Sequence, residues 1–115
     1  MGAVTVAIRK TSVGGYVPAG KCVLADVTFA ASYATGGDTF TPSQFGMSKI
    51  DAIVDCGAAF GSATTGFLAF PDLTNNKIRL LGGAASGVAL AEAANASNQS
   101  ATVLRCLVYG DNPHV

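Results

Sequence analysis

At 115 residues the chain has room for one domain with a sizeable core and not for two. Half of its residues are hydrophobic and only 12% are charged, about half the roughly 25% usual for a soluble domain, and seven acidic residues balance seven basic ones. A neutral chain lacks the attraction that phosphate backbones and anionic lipids need, so we expect no nucleic-acid and no membrane partner, and a surface that is small and neutral or covered by other chains.

Met1-Gly2-Ala3-Val4-Thr5-Val6 carries neither a charged leader with an apolar run nor the hydroxyl residue of a myristoylation signal, which predicts synthesis in the cytoplasm. Residues 4–9 and 21–29 alternate with the period of a strand, and the glycines and proline between them predict a long turn. Residues 33–40 form a loop with Gly36-Gly37 at its tip. Thr41-Pro42-Ser43-Gln44 then has the marks of a helix start: a capping hydroxyl, a proline at the first helical position and a glutamine where a capping box places it. Gly46 limits that helix to a single turn.

Residues 49–56 resume as a strand, with Ile50, Ala52, Val54 and Cys56 on one face and Asp51, Ile53 and Asp55 on the other. Residues 67–70 and 77–81 read as a hairpin in which Asn75-Asn76 supply positive φ. The apolar run 80–94 is too short for a bilayer, and its glycines leave 84–96 open between helix, loop and edge strand. Residues 102–109 form the clearest strand. About six to eight short strands, glycine-rich turns, one helical turn and no βαβ rhythm predict a single all-β domain over 1–115, an antiparallel β-sandwich or a jelly-roll-like small barrel.

Chemistry-bearing patterns are sparse. Gly15-Tyr16-Val17-Pro18-Ala19-Gly20-Lys21-Cys22 matches a phosphate-binding loop except that Cys22 stands where a hydroxyl would hold Mg²⁺, and a strand rather than a helix is expected after it. A plain turn is the better reading. Cys22, Cys56, Cys106 and His114 lack the close pairing of zinc ligands, and three cysteines do not make a disulfide framework, so reduced, metal-free thiols are expected. A lone histidine next to the end of the sequence gives a nucleophile little choice of base, and Asp51 and Asp55 read as a solvent-facing pair. The sequons Asn95-Ala96-Ser97 and Asn98-Gln99-Ser100 read as ordinary polar loop. These patterns predict no catalytic residue, no cofactor, no metal and no small-molecule substrate.

The ordered segments Asp26-Val27-Thr28-Phe29, Tyr33-Ala34-Thr35-Gly36-Gly37-Asp38, Thr41-Pro42-Ser43-Gln44-Phe45-Gly46-Met47 and Ile50-Asp51-Ala52-Ile53-Val54, with Leu104-Arg105-Cys106-Leu107-Val108-Tyr109-Gly110 near the close, resemble small structural proteins of tailed bacteriophages, of the head decoration or cement kind. That resemblance implies a non-enzymatic β-sandwich on the exterior of a virion, often a homotrimer, whose partner is the major capsid protein. A tail, neck or fibre-associated virion part is the main alternative. A small carbohydrate-binding module is disfavoured, since there is no Trp and only Tyr16, Tyr33 and Tyr109 to form a sugar platform.

Tyr33, Phe40, Phe45 and Met47 concentrate large apolar groups in a loop, which marks them as candidate contacts with another subunit or the shell. The alternative is that Phe40 and Phe45 plug one end of the sandwich, with Thr41-Pro42 turning the chain between them.

Overall fold

Branched and small apolar residues at alternate positions favour pleated strands, and the chain uses them to build two facing layers. A computed structural model describes residues 2–11, 20–60, 67–83 and 90–111, with the backbone alone at 57–60, 67, 83 and 90. The strands are β1 (Thr5–Thr11), β2 (Gly20–Thr28), β3 (Asp38–Thr39), β4 (Lys49–Phe60), β5 (Phe67–Asp72), β6 (Lys77–Gly83), β7 (Leu90–Glu92) and β8 (Val103–Asp111), with one 3₁₀ turn at Pro42–Phe45. Two antiparallel four-stranded sheets pack together. One has the order β1-β2-β8-β4, and in the other β6 pairs with β5 on one side and with both β3 and β7 on the other. The architecture is therefore the expected sandwich, and the small closed barrel is not formed.

Strand β8 is the spine of the larger sheet. It pairs with β2 without a slip, from Gly20 opposite Asp111 to Thr28 opposite Val103. Val23, Ala25 and Val27 of β2 and Leu104, Cys106 and Val108 of β8 turn inward and are buried against Ile78 and Leu80 of β6. Gly110 lets β8 pass under the start of β4, since a Cβ there would collide with the Lys49 carbonyl and the Met47 sulfur.

The face assignment for residues 49–56 is corrected. Pairing with β8 shifts between Ile50 and Ala52, which are aligned with the adjacent residues Gly110 and Tyr109, and the extra residue reverses the alternation beyond it. Ile50 is buried and Ile53 packs against the core, whereas Ala52 and Val54 join the outer face and Val54 is 52% exposed. Two further irregularities follow along the same strand.

Local signals elsewhere act as their chemistry dictates. The Thr41 N–H donates to Gln44 Oε1 at 2.9 Å, and Gly46 stops the 3₁₀ turn in the left-handed region at φ 70°. In the β5–β6 hairpin the positive φ is at Asn76 alone, at 54°, while Asp72 accepts the Thr74 and Asn75 backbone N–H groups. Of the open segment 84–96, residues 84–89 lie outside the described residues and Leu90–Glu92 is a strand on β6.

Candidate interaction surfaces

The four side chains singled out in residues 33–47 are core. Tyr33 is fully buried, Phe40, Phe45 and Met47 are 3% exposed or less, and the two phenyl rings meet edge to face at 6.0 Å. In the folded chain the four belong to the core cluster, the burial that the alternative of a plug requires.

Two carboxylates hold this plug in place. Asp38, fully buried, accepts the backbone N–H groups of Ala30 at 2.9 Å and Ala34 at 3.0 Å. Glu92 of β7 accepts the Tyr33 hydroxyl at 2.7 Å and the Gly36 N–H at 2.7 Å, and Arg79 lies 3.5 Å from its other oxygen. The Tyr33 oxygen in turn accepts the Leu80 N–H at 3.0 Å. Burial, with the Glu92 charge adding to it, raises the Tyr33 pKa and keeps the phenol a donor. Burial alone would raise Glu92, but hydrogen bonds from Tyr33 and Gly36 and the Arg79 charge outweigh it and hold the carboxyl below its ordinary value.

Exposed apolar groups lie mainly on the outer faces of both sheets; Ile8, 39% exposed on β1, is instead aligned with the inward Ala25. On the smaller sheet, Leu68 and Phe70 alternate with the inward-packed Ala69 on the edge strand β5, and are 50% and 42% exposed; Leu73 in the following turn is also open. On the larger sheet, the register sets Val54, Leu107, Leu24 and Lys10 in one row across β4, β8, β2 and β1. Tyr109, 41% exposed, stands between Cys22 and Ala52 in a second row.

Charge on that larger sheet gathers in a cluster on β1, β2 and β8, with a separate Lys49–Asp51 pair on β4. Arg105 donates from Nε to Asp26 Oδ1 at 2.8 Å and from Nη2 to Oδ2 at 3.2 Å, and Arg9 donates to the same Oδ2 at 3.3 Å. The hydrogen bonds from Arg105 lead the causes that hold the Asp26 carboxyl below its ordinary value. An open groove of about 430 Å³ runs beside this cluster, with Arg9, Lys10 and Leu24 among its lining. The bulge between Ile8 and Lys10 displaces Arg9 from the regular ladder there.

Other sequence candidates are placed apart from one another. Gly15–Ala19 of the phosphate-loop-like run and His114 lie outside the described residues, and Gly20, Lys21 and Cys22 open strand β2, so a strand stands where that loop would need a helix. Lys21 donates to the Gly46 carbonyl at 3.0 Å. The three thiols are unbridged: Cys106 is buried in the core, where burial pushes it up to about 12, Cys22 is partly buried and raised for the same leading reason, and Cys56 is exposed. Among the described residues no three His, Cys, Asp or Glu side chains gather as a metal site would need, and no helix is long and apolar enough to cross a membrane. Tyr33, with its ring buried and its hydroxyl engaged, offers nothing to a sugar.

Sequence reasoning assigned no role to the outer-face residues. The signal was present in Leu24, Leu107 and Tyr109, which are large and apolar at positions alternate to the core positions. Compared with known proteins, the chain matches no family model, no curated protein and no solved structure.

Proposed function

We propose that the chain is a virion structural protein that binds the outside of a tailed-phage capsid as a decoration or cement protein and stabilises the lattice of the major capsid protein. The observation that carries this reading is the outer face of β5, where Leu68 and Phe70 stand open beside Leu73 on a chain with few charges. Large apolar groups grouped in this way mark a surface meant to be covered. The resemblance of the segments at 26–29, 33–38, 41–47, 50–54 and 104–110 to decoration proteins names the kind of surface that covers it.

Cementing asks little of any single copy. Each one buries a modest area across a joint that already exists, and many copies sum over the shell. A contact built on an edge strand also needs protection from open-ended strand addition. Pro71 supplies it, because it has no N–H to donate to a further strand.

Co-sedimentation of the purified protein with empty capsids, followed by negative-stain microscopy, tests the proposal. Saturable binding and a raised disruption temperature of the shells are expected. Leu68→Ser combined with Phe70→Ser should lower shell affinity at least tenfold and leave the fold intact. Absence of binding by the unaltered protein, or binding by the double variant at full strength, would overturn the reading.

A further inference from the structure

The outer face of the β1-β2-β8-β4 sheet has an internal symmetry in its chemistry. Across the unbroken β2–β8 register, Leu24 stands opposite Leu107, Asp26 opposite Arg105, and Cys22 opposite Tyr109. Apolar thus faces apolar, and anion faces cation, about a line between the two strands. The flanking strands continue the pattern. Strand β1 carries the cations Arg9 and Lys10 and no acid, whereas β4 carries Asp51 beside its opening Lys49, and its Asp55, aligned with the inward Cys106, has the other phase.

We propose that this face is a docking surface for a second copy of this chain, related by a two-fold axis that runs along the strands between β2 and β8. Such a rotation lays β2 over the partner's β8 and β1 over the partner's β4. Leu24 then packs on the partner's Leu107, and Asp26, already held by Arg105 and Arg9 of its own copy, meets the partner's Arg105. The aliphatic stem of Lys10 covers the partner's Val54, and the basic β1 edge lies on a β4 edge that carries no unbalanced cation, since Lys49 is paired with Asp51. An axis across the strands would set β1 on β1, cation over cation. Charge therefore selects one of the two ways of stacking the sheet on itself, and that way agrees with the aligned packing, about 10 Å apart, that twisted sheets adopt.

The footprint suits a reversible dimer. Four strands about 4.8 Å apart, paired over about nine residues at about 3.4 Å each, present roughly 600 Å² per copy and roughly 1,200 Å² in all, the lower edge of stable interfaces. A closed trimer needs two different surfaces that fit one another, whereas a self-complementary face closes on itself as a pair. The dimer thus replaces the homotrimer that the resemblance implies. It leaves the β5 face free, so self-association and shell binding fail or succeed separately.

Sedimentation velocity between about 1 and 100 µM should show a monomer–dimer equilibrium with a constant in the micromolar range. Val54→Lys, which changes an exposed side chain and brings a cation over Lys10, should weaken it at least tenfold while the melting curve measured at low concentration stays in place. In a Cys56→Ser background a short bismaleimide should link two copies through Cys22, and Cys22→Ser should abolish the link. A trimer mass, a monomer at 100 µM, or a dimer unchanged by Val54→Lys would overturn the proposal, whether or not the protein binds shells.

Discussion

Residues 33–47 and the outer face of the larger sheet are both rich in large apolar side chains, yet one is closed and the other open. Tyr33, Phe40, Phe45 and Met47 sit between the long strands and are buried; Val54 and Tyr109 sit within strands and are about half exposed. A sandwich covers its inner faces by stacking two sheets, and here large side chains from the connections between the sheets complete that core. Apolar residues on the outer face have no third layer in the same chain. Secondary structure alone therefore does not say which apolar residues await a partner; the number of layers does.

The sharpest way to break the comparison is to truncate the plug. Phe45→Ala removes a buried ring that meets Phe40 edge to face, and should cost about 3–5 kcal/mol by chemical denaturation, the range for a core phenylalanine. A loss below about 1 kcal/mol would mean that the ring is not core. Tyr33→Phe keeps the ring but removes the hydroxyl that joins Leu80 to Glu92. With the buried Leu80 N–H left unpaired, about 2–3 kcal/mol should be lost.

Much of the fold was legible because it rests on local chemistry. Thr41, Pro42, Gln44 and Gly46 specify a capped single turn whatever surrounds them, and the alternation in 102–109 specifies β8. The site was less legible for two physical reasons. The bulge after Ile50 reverses the two faces of β4, and nothing in Lys49-Ile50-Asp51-Ala52 announces it, because the shift is set by pairing with β8. The burial of residues 33–47 depends on long-range partners, Glu92 and Leu80, more than forty residues away in sequence. Asp38 and Glu92, the carboxylates that organise this loop, read as ordinary surface acids until the chain is folded.

Acid should loosen both regions, by a smaller step. Glu92 and Asp26 are held below their ordinary values in the folded chain. Their contribution is complete above the unfolded-state values, about 4.3 for Glu and 3.9 for Asp, and is lost as the pH falls below these toward the folded values. Thermal melts from pH 7 to 3 should therefore stay level to about pH 5 and decline below it. Glu92→Gln should flatten the decline that originates in the loop, and a decline that begins near pH 6 would point to other groups.

The smallest effect discriminates most finely, because it concerns two neighbouring residues on one strand. Simple alternation places Val54 with Ile50 and sets Ile53 outside; the shift after Ile50 does the reverse, leaving Val54 52% exposed and Ile53 packed against the core. Val54→Thr keeps the branched shape and the strand preference, so in the dilute monomer it should change stability by less than about 0.5 kcal/mol. Ile53→Thr, one position earlier, inserts a hydroxyl among the side chains beneath β8 and removes apolar contact, and should cost about 1–2 kcal/mol. Denaturation of the two variants side by side reads the face of each residue directly. The reverse order would restore plain alternation along β4, and with it would go the outward Val54 on which the self-complementary face depends.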